Sequence, residues 1–211
     1  MNLGSHVDDD IVSVLENRKR VSDYLPAEPY WLNQVHGTRV LDTSLIGSTI
    51  PDADGSFTRQ KNHVCCVMSA DCLPVLLCNR QGSQVAAVHA GWRGLLDGII
   101  ENAVSEFDSS DTLLAYLGPA IGPQAFEVGS EVRDAFCNYD IKSTQAFTGS
   151  TNKGRWLADI YCLARLRLSG MGILVAYGGL DCTVKDRDRF FSYRRDGQTG
   201  RMASLIWIEG D

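Results

Sequence analysis

Three short stretches of the chain each set one soft metal ligand beside residues that bend the backbone. They are Asn-Gln-Val-His-Gly at 33–37, Ser-Ala-Asp-Cys-Leu-Pro at 69–74 and Val-His-Ala-Gly-Trp-Arg-Gly at 88–94. They supply His36, Cys72 and His89. Two imidazoles and a thiolate suit zinc, whose catalytic sites keep three protein ligands and leave the fourth position open. The sequence holds only four histidines, and two of them fall in these motifs, which favours a shared site. Intervals of 36 and 17 residues match no zinc-knuckle spacing, so the fold must bring the ligands together. Taken singly, a Cys beside an apolar run is usually a small core residue, and a lone His is usually held by a backbone partner. What joins the three is their glycine-rich, polar setting where strands should end.

Other residues around these motifs have chemistry of their own. Asp71 precedes the Cys and serves either to orient a ligand or to cap a turn. Trp92 and Arg93 follow the His-Ala-Gly turn at the start of an expected helix, where a guanidinium beside a helix N-terminus suits a phosphate or carboxylate. The alternative for Arg93 is a surface side chain packed on Trp92. Asn33 and Gln34 can read a base or sugar edge, or simply bond a strand end. Arg194 and Arg195 lie in Ser-Tyr-Arg-Arg-Asp-Gly, where one is expected to be paired and the other free for a phosphate. Cys182 is a further thiol, read first as a core cysteine.

The elements that must position these residues follow from periodicity. Residues 9–20 read as a short helix with acids first and bases last. Residues 30–35, 39–43, 63–69, 74–79, 84–90, 113–118 and 202–208 read as extended, and 93–107, 130–138 and 156–168 as helices. All three candidate ligands then sit at strand ends or turns, where a rigid scaffold presents functional groups. The chain class is mixed α/β. With 211 residues, no repeat and no linker-like tract, one domain over 1–211 is expected.

Bulk properties exclude several classes of function. A net charge of −6 gives no electrostatic case for nucleic acid or an anionic membrane. No run approaches the roughly 20 apolar residues that span a bilayer. Seven cysteines, an odd number, mostly in apolar runs, read as reduced thiols of a cytoplasmic protein rather than a disulfide framework. No signal peptide is visible.

Six segments occur in an order that resembles the bacterial laccase-domain family. They are Asn-Gln-Val-His-Gly, Asp-Ala-Asp-Gly (52–55), 69–77, 85–99, 117–129 and 190–207, and together they run along nearly the whole chain. Members of that family have been called polyphenol oxidases, purine nucleoside phosphorylases and peptidoglycan editing factors. The resemblance implies a layered α/β/β/α arrangement and makes His36, Cys72 and His89 the metal ligands. It also implies phosphorolysis of purine nucleosides (adenosine, inosine, guanosine, methylthioadenosine) with zinc, and deamination of adenosine. Arg93 and Asp71 are then the catalytic candidates, and Asn33, Gln34 and Arg194 the substrate-binding ones. Family members carry an Arg/Gly/Ser-rich segment ahead of a Ser-Leu-Asn-Leu-Gly stretch. This sequence opens at Met1-Asn2-Leu3-Gly4, within the counterpart of that stretch, so either the start lies upstream or the segment is missing.

Three other readings compete. Copper also suits a His₂Cys set and binds more tightly than zinc, but a multicopper oxidase cluster needs more imidazoles than four histidines supply. Cys72 as a nucleophile activated by His36 or His89 would make a hydrolase acting on peptidoglycan precursors. A closed zinc shell with Cys182 as fourth ligand would make a binding module with no chemistry.

Overall fold

The computed structural model describes residues 1–47, 49–109 and 112–210. The first helix, α1 (Ile11–Ser22), begins two residues later than its charge pattern predicts, because Asp10 is the N-cap and accepts from Ser13 N. Five strands and two helices complete the first half among the described residues: β1 (Val40–Asp42), β2 (Gly55–Thr58), β3 (Cys65–Ser69), β4 (Leu73–Asn79), β5 (Val85–Ala90), α2 (Trp92–Asp97) and α3 (Ile99–Ser105). The helix expected over 93–107 is therefore two. Gly98, at φ 101°, ends α2 in the left-handed region and starts α3.

The second half carries β6 (Leu113–Leu117), β7 (Glu127–Gly129), α4 (Ser130–Tyr139), β8 (Phe147–Gly149), β9 (Arg155–Ala158), α5 (Ile160–Gly170), β10 (Ala176–Gly178), α6 (Tyr193–Asp196) and β11 (Met202–Ile206). The helix expected from 156 begins only at Ile160. Residues 155–158 form instead the central strand of a small antiparallel sheet, β7-β9-β8, and Asp159 then caps α5 by accepting from Cys162 N. Residues 30–35 are extended but pair only through isolated bridges, Tyr30 with Cys65 and Asn33 with Asp52.

The main sheet has the order β1-β2-β5-β4-β6-β10, antiparallel through its middle and parallel at both edges. All six residues of β5 are buried, which is why the strand reads as an unbroken apolar run. One face of this sheet packs on α2, α3 and α5 around Leu73, Leu77, Ile99, Ile100, Leu163 and Leu168. The other face is covered by the antiparallel pair β3–β11. Beyond β3 lies α1, whose Arg18 Nη2 sits 3.9 Å from Met68 Sδ. The order helix, sheet, sheet, helix is the layered α/β/β/α arrangement. Among the described residues no helix is long and apolar enough to cross a membrane, and all seven cysteines are free thiols.

Candidate metal centre and its cavity

Register in the main sheet assembles the site. In the β4–β5 ladder Leu73 pairs with Ala90 and Pro74 with His89, which places Cys72 just before the start of β4, beside Gly91. In the β2–β5 ladder Gly55 pairs with Val88, so Asp54 arrives next to His89 and its carbonyl accepts from His89 N at 2.7 Å. Gly55 has no room for a side chain, since a Cβ there would lie 2.6 Å from Val88 Cγ1.

His36 comes from the loop before β1 and adopts φ 61°, rare for a residue with a side chain. The buried carboxylate of Asp54 holds that conformation. Its Oδ1 accepts from His36 N (3.0 Å), and its Oδ2 from Val35 N (3.1 Å) and Gly37 N (2.7 Å). The same Oδ1 accepts from His89 Nδ1 at 2.8 Å. One carboxylate therefore fixes the backbone of one imidazole and the ring of the other. With Nδ1 of His89 committed to Asp54, Nε2 is the atom left to ligate, the carboxylate–histidine arrangement common behind metal ligands.

The three ligand atoms of His36, Cys72 and His89 lie within 4.8 Å of one another, and His36 Nε2 is 3.8 Å from Cys72 Sγ. The two rings meet edge to face at 4.9 Å. Gly91 is what lets them approach, because a Cβ there would sit 3.0 Å from His36 Cδ2 and 3.1 Å from Cys72 Sγ. Electrostatics prepare the donors. Burial pushes the Cys72 thiol up, but hydrogen bonds and charge from His36 and His89 outweigh it and bring the thiol well below its ordinary value. Burial pushes His89 down, yet Asp54 and Cys72 together raise it. Burial also pushes Asp54 up, and the His89 ring with the Gly37 and Val35 amides holds it below the carboxylate range. Two nitrogens, one anionic sulfur and a carboxylate behind them fit a divalent zinc or copper ion by donor chemistry.

The triad opens into a cavity of about 510 Å³ whose walls include Trp92, Arg93, Ile121, Phe126, Tyr193, Arg194 and Arg201. Arg93 stacks on Trp92, with its guanidinium carbon 4.5 Å from the ring centroid, so its stem packs and its head stays exposed at the cavity. Asp71 also lines it, with Oδ1 accepting from Thr183 Oγ1 and Oδ2 from Arg194 N (2.8 Å). Its carboxylate joins the loop at Thr183 to helix α6 and touches neither histidine ring by a hydrogen bond. Arg194 donates Nη1 to the carbonyls of Glu127 (3.0 Å) and Ala125 (3.4 Å).

Several sequence expectations land elsewhere. Asn33 does not line the cavity; its Nδ2 donates to Asp52 Oδ1 at 2.6 Å. Gln34 lines it, but its amide is taken by the backbone of Met68, donating to the carbonyl (2.8 Å) and accepting from the nitrogen (2.7 Å). Arg195 clamps the carbonyls of Thr183, Val184 and Phe190 and pairs with Asp196. Cys182 accepts from Gly122 N (3.3 Å) and lines a neighbouring cavity of about 780 Å³, so it is not a fourth member of the triad. Sequence reasoning missed Asp54, although it stands in the Asp-Ala-Asp-Gly motif. It also missed His6 and Arg201 at the cavity, which carry no local motif.

A family model described as "Multi-copper polyphenol oxidoreductase laccase" matches residues 1–209. The chain is similar to a Pseudomonas aeruginosa protein named purine nucleoside phosphorylase, 50% identical over 210 residues that cover 99% of this chain and 86% of the relative. It is similar to the Escherichia coli K12 purine nucleoside phosphorylase YfiH, 52% identical over 211 residues with the same coverage of 99% and 86%. Among solved structures it resembles Neisseria meningitidis protein NMB0706, with a TM-score of 0.94 and 49% identity over 99% of this chain and 86% of that one. It also resembles YlmD from Geobacillus stearothermophilus, with a TM-score of 0.89 and 30% identity over 99% and 85% of the two chains.

Proposed function

The chain belongs to the multi-copper polyphenol oxidoreductase laccase family, the family its six motifs resemble, and from that premise we propose that it is a zinc-dependent purine nucleoside phosphorylase with adenosine deaminase activity. The observation that carries the reading is identity of 50% or more, across 99% of the chain, to relatives named purine nucleoside phosphorylase. In phosphorolysis a phosphate oxygen bonds to C1′ of the ribose while the C1′–N9 bond breaks. The bond electrons leave with the base, which takes up a proton, and ribose 1-phosphate is released.

His36, Cys72 and His89 would hold the zinc, which when bound supplies Lewis-acid polarisation or water activation at the floor of the cavity. Asp54 keeps the two imidazoles in place and favours the His89 tautomer that leaves Nε2 to ligate. Trp92, Ile121 and Phe126 offer apolar walls for a purine. Arg93, its head exposed beside Trp92, meets the anionic reactant, and a guanidinium placed there in advance gains by orientation and charge what water would otherwise screen. Asp71 positions Arg194 by accepting from its backbone nitrogen. The oxidase reading has less support, because of the four histidines only His36 and His89 meet at Cys72, while His63 bonds Tyr30 and Thr43. Seven free thiols favour the cytoplasm.

The test is to incubate zinc-replete protein with adenosine or inosine and phosphate and to resolve products by chromatography. Phosphate-dependent adenine or hypoxanthine, with ribose 1-phosphate, is the expected result, and inosine formed from adenosine without phosphate marks deamination. Metal-replete protein that leaves both nucleosides intact overturns the reading in favour of a Cys72 hydrolase, whose thiol His36 and His89 already pull down.

A further inference from the structure

Arg201 is a half-buried cation that, among the described residues, is ion-paired to no carboxylate, although Asp71 and Cys72 lie close enough to favour its charge. Its stem lies against Gly4, where a Cβ would come within 2.7 Å of Arg201 Cγ. Its backbone is tied to the start of the chain, with Arg201 N donating to Asn2 Oδ1 (2.8 Å) and its carbonyl accepting from Leu3 N (3.1 Å). Nη1 is spent on the carbonyls of Thr199 (2.8 Å) and Gly200 (3.2 Å). Among the described residues no hydrogen bond or ion pair takes Nε or Nη2, so the free edge of the fork remains while the side chain lines the cavity.

The nearby anions are already engaged. Both oxygens of Asp71 are bonded, one to Thr183 and one to Arg194 N, and Cys72 belongs to the metal triad. His6 lines the same cavity, and positive charge from Arg201 and Arg18 adds to burial in pushing its imidazolium down. The corner sets the open Nε and Nη2 of Arg201 near the His6 imidazole, partly withdrawn from water, while the one carboxylate among its described lining, Asp71, has both oxygens bonded elsewhere, so a further anion would stabilise it. A planar fork with two free N–H donors recognises a tetrahedral oxyanion with paired hydrogen bonds.

We propose that Arg201, with His6 at the cavity mouth, is the seat of a phosphoryl group, distinct from the exposed guanidinium of Arg93. The phosphoryl group is either orthophosphate or the phosphate ester of a nucleotide. The seat rests on the phosphorylase reading only for why phosphate should be present; the binding itself does not require turnover.

The experiment titrates the zinc-loaded protein calorimetrically with inorganic phosphate, adenosine and adenosine 5′-monophosphate, for wild type and Arg201→Gln, with melting temperatures as the check on folding. Arg201→Gln is expected to weaken binding about tenfold to a hundredfold, as for loss of a charge-assisted hydrogen-bonded pair. If orthophosphate alone shows the loss, the ligand is free phosphate. If the monophosphate outbinds adenosine in wild type and the difference vanishes in the variant, the ligand is the ester. Equal binding of both probes by wild type and a folded variant, or no binding by wild type, overturns the seat. A measurement without any variant runs alongside: phosphate should protect Arg201 from phenylglyoxal, read by peptide mass spectrometry, and an unchanged labelling rate overturns the proposal. Wild type that binds phosphate through Arg201 but turns over no nucleoside leaves the seat standing and overturns the phosphorylase reading alone.

Discussion

Asp54→Asn tests the logic of the metal centre more sharply than removing a ligand, because it changes one atom that contacts no metal. Oδ1 of Asp54 takes two donors, His36 N and His89 Nδ1, and Oδ2 takes two more, Val35 N and Gly37 N. An asparagine has one oxygen, so two of the four donors must face its NH₂ group. If the oxygen stays on Val35 and Gly37, the amide points at His89, whose relief is to move its proton from Nδ1 to Nε2. That tautomer presents N–H where the metal needs a lone pair. If the oxygen stays on His89, two backbone amides are orphaned, at about 1–3 kcal/mol each when buried, and the His36 loop loosens. Either route should weaken Zn²⁺ binding about 10–100-fold, roughly 1.4–2.8 kcal/mol. The assay is competition against a chromophoric chelator at neutral pH, with circular dichroism to show that the variant is folded. A folded Asp54→Asn protein that holds zinc within about twofold of wild type would refute the reasoning.

Four other outcomes follow from the same geometry. Gly91→Ala puts a methyl 3.0 Å from His36 Cδ2 and 3.1 Å from Cys72 Sγ, so metal affinity should fall about tenfold or more while the melting temperature of the metal-free protein barely moves. In metal-free protein iodoacetamide should label Cys72 first and zinc should block it; Cys65, which burial pushes up to about 12, should stay unlabelled until the chain unfolds, and prompt labelling of Cys72 in zinc-loaded protein would sink the ligand assignment. The folded value of Asp54 lies below its unfolded one, so the stability it contributes is present above about pH 4 and is lost as pH falls through the folded value; acid melts of metal-free wild type should show this loss and Asp54→Asn should lack it. Glu101→Gln leaves the buried guanidinium of Arg167, stacked 3.9 Å over Tyr139, without its carboxylate, and urea denaturation should show a loss of about 3 kcal/mol, the low end for a broken buried pair because Glu101 is partly exposed.

What the sequence made legible was whatever has a short-range signature. β5 is buried on both faces and β4 nearly so, which is why they read as apolar runs, and the three candidate ligand motifs stand out through glycine, proline and a soft donor in a few residues. The small sheet β7-β9-β8 did not, because strands of three or four residues carry no usable alternation, and Trp156-Leu157 blends into the pattern of the helix that follows. The roles of Asp54 and Arg201 were hidden for another reason. Asp54 acts on His89 across the β2–β5 register, 35 positions away, and Arg201 is held by Asn2, 199 positions away. Nothing local marks either contact, and only the ladder and the chain path reveal them. The amides of Gln34 and Asn33 bond Met68 and Asp52 in the fold, partners that no local pattern in the sequence points to.

The pairing of β3 with β11 sets an order of events during synthesis. His36, Asp54, Cys72 and His89 all lie in the first half of the chain and meet through β2, β4 and β5. β3, by contrast, apart from the single bridge of Cys65 to Tyr30, finds its ladder partner among the described residues in Met202–Ile206, and the cavity wall around Tyr193 and Arg201 immediately precedes that strand. A nascent polypeptide thus acquires its donor atoms early and spends most of its elongation with an apolar strand edge unpaired and the thiolate side of the pocket unroofed. Such an edge invites association with other chains. Stalled translation products ending before residue 202 should accordingly aggregate or recruit holdases, whereas release of the last strand closes the edge and the pocket in one step.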